Sequence, residues 1–145
     1  MFKHILIPTD GSDLSNVAVV NGVRFAKEIG ARITGLTVTE PYHYLAVEGV
    51  PIGSTQDQHD ADMKQVAAEN LRALQSAAAA SAVPLQVLHA SSYHPYEEIV
   101  NAAEAQGCDV IFLASHGRRG MRAVLMGSET TKVLTHTKIP VVVYR

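Results

Sequence analysis

The residue types best suited to chemistry lie near the end of a 145-residue chain, in LASHGRRGMRAVLMGSETTKVL, Leu113 to Leu134. Two small-residue turns, Ala114 to Gly117 and Gly127-Ser128, bracket an Arg-rich nine-residue segment. A glycine after a buried strand lets the backbone approach a ligand closely, and the unpaired N–H groups at a helix start attract anions. Gly117 offers the first property. Gly127-Ser128 offers the second, since Ser128 either caps the helix that follows or donates its hydroxyl to an anion, while Glu129, Thr130 and Thr131 present first-turn amides. Arg118, Arg119 and Arg122 add positive charge between the turns, and Lys132 sits one turn into the helix. A polyphosphate suits this set better than a neutral ligand.

A second turn with chemical potential follows the first apolar run, in PTDGSDLS. It is neither a P-loop, having one glycine and no lysine, nor a GxGxxG dinucleotide fingerprint. Asp10 at its tip suits a ribose hydroxyl or a phosphate-bound Mg²⁺. Plainer readings stand beside these: Asp10-Gly11-Ser12 as a turn and helix cap, Gly127-Ser128 as another cap, the arginines as a solvated face. No Ser or Cys nucleophile is paired with His116 by a recognisable motif, so no catalytic role is expected of it. The seven histidines lack metal spacing, and Cys108 reads as a packed small residue.

The elements that position these turns follow from periodicity. Phe2 to Pro8, Ala31 to Thr39, Pro84 to Ala90, Asp109 to Ala114 and Ile139 to Tyr144 read as strands, several of them continuous apolar runs. Helical spacing runs from near Ser12 to Gly30, from the Met63 region to about Ala82, from Pro95 to Gly107, and from about Ser128 to His136. Tyr42 to Asp57, without periodicity, reads as a long loop or flap. Alternating strands and helices predict a doubly wound α/β domain, a five-stranded parallel sheet with helices on both faces. Ligands of such sheets settle outside the carboxyl ends of the strands. Four loops occupy that edge: Thr9 to Ser12, Thr39 to about Asp57, Ser91 to His94, and Ala114 to Ser128.

A net charge of −2 gives no sign of a nucleic-acid surface, and no apolar stretch approaches the roughly 18 residues needed to span a bilayer. One cysteine and no signal-peptide pattern lead to the expectation of a soluble cytoplasmic protein with a single domain over residues 1–145.

The opening KHILIPTDGSDLS, the loop SHGRRG with Gly127-Ser128 nine residues after Gly117, and the terminal KIPVVVYR together resemble the universal stress protein (UspA) family over essentially the whole chain. The resemblance is to its nucleotide-binding branch, whose pattern is GxxGx9G[ST], and it implies a Rossmann-like fold of the adenine nucleotide alpha hydrolase type. It also implies that Gly117, Gly127 and Ser128 hold phosphates, that Asp10 with Pro8 and Thr9 lines the ribose and adenine side, and that backbone at Val38 pairs with the adenine edge. Ala114, His116, Arg118, Glu129 and Thr130 complete the expected nucleotide-binding set, with Asp10 touching Mg²⁺ only through the nucleotide. Ala114 stands where the family has glycine, which either costs a little affinity or, if that position needs positive φ, reshapes the loop. The implied function is a stress-response regulatory module that binds ATP, or ADP or AMP, and forms a homodimer through Ile139 to Tyr144. The alternatives are a dimeric interaction protein of the same fold without nucleotide and, more weakly, a slow ATPase.

Overall fold

The computed structural model describes residues 1–117 and 126–145. Its elements in chain order are β1 (His4–Pro8), α1 (Asp13–Ile29), β2 (Arg32–Thr39), β3 (Leu45–Val47), β4 (Val50–Ile52), α2 (Gln56–Ser81), β5 (Leu85–Ser91), α3 (Pro95–Ala105), β6 (Val110–Ala114), α4 (Ser128–His136) and β7 (Val141–Tyr144). Among the described residues, β5-β2-β1-β6-β7 form one parallel sheet, and β3-β4 form a separate antiparallel hairpin. The chain winds outward from β1 through β2 to β5, then returns to β6 and winds the other way to β7. Winding therefore reverses between β1 and β6, and the crevice at their carboxyl ends is the switch point of the sheet.

Strand alternation divides the core into two layers. Ile5, Ile7, Val110 and Phe112 face one side, where Val19 and Val23 of α1 and Leu71 and Leu74 of α2 meet them. Leu6, Ile111 and Leu113 face the other side, against Ile99 and Ala103 of α3 and Val133 of α4. Each such side chain, taken fully out of water, contributes roughly 1.5–3 kcal/mol before ordering entropy is subtracted. The two strands flanking the switch point, β1 and β6, are thus buried along nearly their whole length. No helix among the described residues is long and apolar enough to cross a membrane.

Helix ends follow the sequence signals, with one exception. Ser12 caps α1, its Oγ accepting from the Ser15 amide at 3.3 Å, and Gly30 closes it with φ 66°. The exception is α2, which begins at Gln56 rather than near Met63. Thr55 and Gln58 form a capping box there, the Gln58 amide donating to Thr55 Oγ1 at 3.2 Å and the Thr55 amide to Gln58 Oε1 at 3.0 Å. The expected long loop is correspondingly shorter, and the β3-β4 hairpin occupies its middle.

At the amino ends of the strands, His4 is 4% exposed and its Nε2 lies 2.7 Å from Thr34 Oγ1. Burial, aided by the nearby Arg32 charge, holds its imidazole below the ordinary 6.5. In the unfolded chain His4 takes up its proton at higher pH than in the native one. Stability contributed by the neutral ring is therefore complete above about pH 6.5 and is lost as pH falls towards the lower native value. Urea unfolding between about pH 5 and 8 is expected to show this loss, and His4→Gln to flatten it; equal slopes in both proteins would place the titration elsewhere. Nearby Cys108 is buried, and that burial pushes its thiol up to about 11. A protonated, enclosed thiol agrees with the packing role read from the sequence.

Candidate functional site

Two strand ends and the start of α4 build the floor of the site. At the end of β1, Thr9 is tied to β2 by its amide, which donates to the Leu36 carbonyl at 2.8 Å. Thr9 Oγ1 accepts from the Gly11 amide at 3.2 Å and from Ser15 Oγ at 2.9 Å, while Asp10 Oδ1 accepts from the Ser12 amide at 3.0 Å. The turn-and-cap reading of this segment is therefore correct, and the same bonds aim Asp10 across the switch point. Gly11 has φ 75°, and a Cβ there would lie 2.5 Å from Oδ1 of Asn70, a buried residue of α2. Asn70 Nδ2 in turn donates to Thr37 Oγ1 at 3.1 Å. One carboxamide thus packs against the Asp10 turn while bonded to β2.

At the end of β6, the Ser115 amide donates to the Tyr144 carbonyl at 2.8 Å and Ser115 Oγ lies 3.0 Å from His116 Nδ1. The Gly127 amide donates to the Ser115 carbonyl at 2.7 Å. Thr130 Oγ1 donates to the carbonyls of Ala114 and Ser115 at 3.0 and 3.1 Å, clamping α4 onto the strand end. Gly127 is the N-cap of α4, with no side-chain cap bond, so Ser128 is the first helical residue and does not cap it. That leaves the other role open to Ser128, an outward hydroxyl. The first main-chain bond of α4 runs from the Thr131 amide to the Gly127 carbonyl at 3.0 Å, so the amides of Ser128, Glu129 and Thr130 precede the helical ladder.

Two absent side chains shape the floor between these ends. A Cβ on Gly117 would lie 2.5 Å from Asp10 Oδ2, and one on Gly127 would lie 3.1 Å from the Ser115 carbonyl oxygen. Ala114 lies within β6, buried, in register with Tyr144 of β7. It is absent from the residues with positive φ, so the strand accommodates its methyl without strain and the reshaped-loop alternative does not arise.

The resulting crevice has a volume of about 600 Å³, within the range of small-molecule sites. Pro8, Thr9, Asp10, Val38, Ala114, His116, Gly117, Gly127, Ser128, Glu129 and Thr130 all line it. Arg118, Arg119 and Arg122 lie outside the described residues. Glu129 also has a structural task, accepting from the Tyr96 amide at 2.9 Å and pairing with Lys132 at 3.2 Å. Sequence reasoning missed the far wall, where Leu36, Glu40, Tyr93 and Ile99 join the lining. Glu40 and Tyr93 stand on loops already assigned to this edge, but no motif singles them out. Among the described residues no cluster of His, Cys, Asp or Glu could hold a metal ion by itself.

A doubly wound α/β domain with a switch-point crevice floored by side-chain-free backbone is the class that fold and site define. The chain belongs to the universal stress protein family, whose model it matches over residues 1–145. It is 30% identical over 149 residues to universal stress protein YxiE of Bacillus subtilis, covering 100% of both chains. It is 28% identical to universal stress protein MJ0531 of Methanocaldococcus jannaschii, covering 100% of this chain and 83% of that one. Among solved structures, protein MJ0577 superimposes with a TM-score of 0.80 at 22% identity, over 99% of this chain and 95% of that one. A universal stress protein in complex with cAMP superimposes with a TM-score of 0.71 at 19% identity, over 99% and 97% of the two chains. One from Archaeoglobus fulgidus in complex with dAMP does so with a TM-score of 0.66 at 14% identity, over 100% and 98%.

Proposed function

We propose that this protein is a stress-response regulatory module of the cytoplasm that holds ATP, or ADP or AMP in its place, in the switch-point crevice. The observation that carries this reading is the pairing of Gly117 and Gly127: each lacks a side chain where a Cβ would fill the floor between Asp10 and the start of α4. The phosphates lie against Gly117, the Gly127-Ser128 turn and the leading amides of α4, with the Ser128 hydroxyl as a further donor. The ribose meets Asp10, and the base lies against Pro8, Thr9 and Val38. His116 Nε2 is buried and has no hydrogen-bond partner among the described residues, an orphan that a phosphate oxygen would satisfy. Asp10, a single carboxylate, fits a Mg²⁺ held mainly by phosphates and water. The relatives solved with cAMP and dAMP support an adenine nucleotide.

The test is mass spectrometry of the denatured purified protein for nucleotide, followed by calorimetric titration with ATP, ADP and AMP. Gly127→Val is expected to abolish binding and leave circular dichroism unchanged, because the side chain presses on Ser115 and closes the phosphate approach. A protein that co-purifies empty and gives no heat with any of the three would instead be a nucleotide-free interaction module. Ala114→Gly is expected to alter affinity by less than about threefold and to lower stability by roughly 0.5–1 kcal/mol, since it only loosens an ordinary strand. A large gain in affinity would show that the methyl obstructs the ligand.

The module acts as a homodimer through the last strand. Strand β7 is the sheet edge beside β6, its four residues are all partly exposed, and Pro140 blunts only the position before it. Sedimentation showing monomer alone at micromolar concentration would refute this.

A further inference from the structure

A carboxylate joins the start of α3 to the start of α4. Helix α3 opens at Pro95 with no side-chain bond from its N-cap residue His94, and the amide of Tyr96 donates instead to Glu129 Oε2 at 2.9 Å. The other oxygen, Oε1, accepts from Lys132 Nζ at 3.2 Å, and that ammonium stands 5.3 Å from the centre of the Tyr96 ring. Among the described residues neither oxygen accepts from an amide of α4 itself.

Glu129 is the second residue of α4, so its main chain belongs to the turn on which the phosphates are placed, while its side chain is fixed to the neighbouring helix. Its charge therefore stays beside that turn. Swinging aside would strip a first-turn amide of α3 of its acceptor and break the pair with Lys132. The same bonds account for Lys132. One turn into the helix, its charge would assist a phosphate, but it is drawn to Glu129 and to the face of Tyr96. The first turn of α4 accordingly carries a neutralised lysine and a fixed carboxylate. Coulomb energy scales with the product of the charges, so that carboxylate opposes each further phosphate on a ligand by a further increment. The side chains of Glu129 and Lys132 are 41% and 46% exposed, which makes the effect moderate and sensitive to salt.

We propose that Glu129 is a specificity-determining residue that tilts the crevice towards the nucleotide with the fewest phosphates, AMP, and that Lys132 limits the tilt. The inference rests on the nucleotide reading of the crevice.

The test is calorimetric titration of the full-length protein with AMP, ADP and ATP at low salt, with Mg²⁺ removed so that each ligand carries its whole charge. Glu129→Gln keeps a carbonyl oxygen for the Tyr96 amide and removes the negative charge. It is expected to raise the ATP-to-AMP affinity ratio by about threefold or more, with ADP between them. Lys132→Gln is expected to lower that ratio. The double variant Glu129→Gln/Lys132→Gln leaves the net charge of the pair as it was and should return the ratio close to that of wild type. Arg118, Arg119 and Arg122 are the same in all of these proteins, so they do not set the differences between them. Raising KCl to about 0.5 M should shrink those differences, because screening weakens exposed charges. A smaller shift in Glu129→Gln, or shifts of the same sign in both single variants, overturns the proposal, since the pair would then act only as a brace between helices. Differences that persist undiminished at high salt overturn it as well. Failure of all three nucleotides to bind the wild type overturns the nucleotide reading and this inference with it.

Discussion

Replacing Gly117 by alanine is expected to weaken adenine-nucleotide binding by at least about tenfold, some 1.4 kcal/mol, while leaving the fold intact. The added methyl would sit 2.5 Å from Asp10 Oδ2, too close to coexist with it. Gly117 does not have positive φ, so alanine meets no backbone strain there, and the clash is the whole effect. Asp10 has little freedom to yield. Its other oxygen accepts from the Ser12 amide, and the turn is pinned by Thr9 and by Asn70 against Gly11. Relief therefore comes from turning the carboxylate away from its place or from widening the gap between β1 and β6, and both disturb the ribose side of the crevice. Calorimetry with ATP, alongside circular dichroism and urea unfolding, separates the cases. Affinity within threefold of wild type would show that Asp10 does not need its present position.

That contact joins residues from opposite ends of the chain, which marks the boundary of what was legible beforehand. The glycines, the helix start and the two turns are local signals, and Asp10 with Gly117 was assignable to one edge because each follows a strand. Their mutual packing was not, since a glycine kept for space looks like one kept for turning. For Ser128 the sequence left cap and ligand donor open, and only the helix start at Ser128 itself removes the cap reading. Strands β1 and β6 were readable because they are buried on both faces and hence, His4 apart, apolar. The hairpin was not readable. Its strands are three residues each, β4 contains Pro51, and their apolar residues have no buried face to set an alternation. The early start of α2 was hidden for the converse reason. Gln56 to Asp62 bury almost nothing, so hydrophobic spacing begins only at Met63, and the capping pair Thr55 and Gln58 was the signal that would have found it.

The largest loss of stability is expected from Leu74→Ala, about 3–4 kcal/mol. Leu74 is fully buried on α2, and its Cδ2 occupies the space that a side chain on Gly35 of β2 would otherwise take. A glycine in a strand interior usually signals such close approach, and here it lets α2 settle directly on the sheet backbone. Truncation leaves a void with no side chain beneath it to fill the gap, because Gly35 has none, while parallel pairing with β1 and β5 holds β2 in place. The cost therefore falls in the upper part of the range for leucine truncation in a core. For a chain of this length, it corresponds to a fall in Tm of roughly 10 °C. Urea unfolding should show a lower midpoint at unchanged slope. Leu74 does not line the crevice, so nucleotide affinity measured well below the new Tm should match wild type. A loss under 1 kcal/mol would mean that α2 re-seats on the sheet. In that event Asn70, one turn earlier on the same helix, would shift with it, and the Asp10 turn would register the movement as altered affinity.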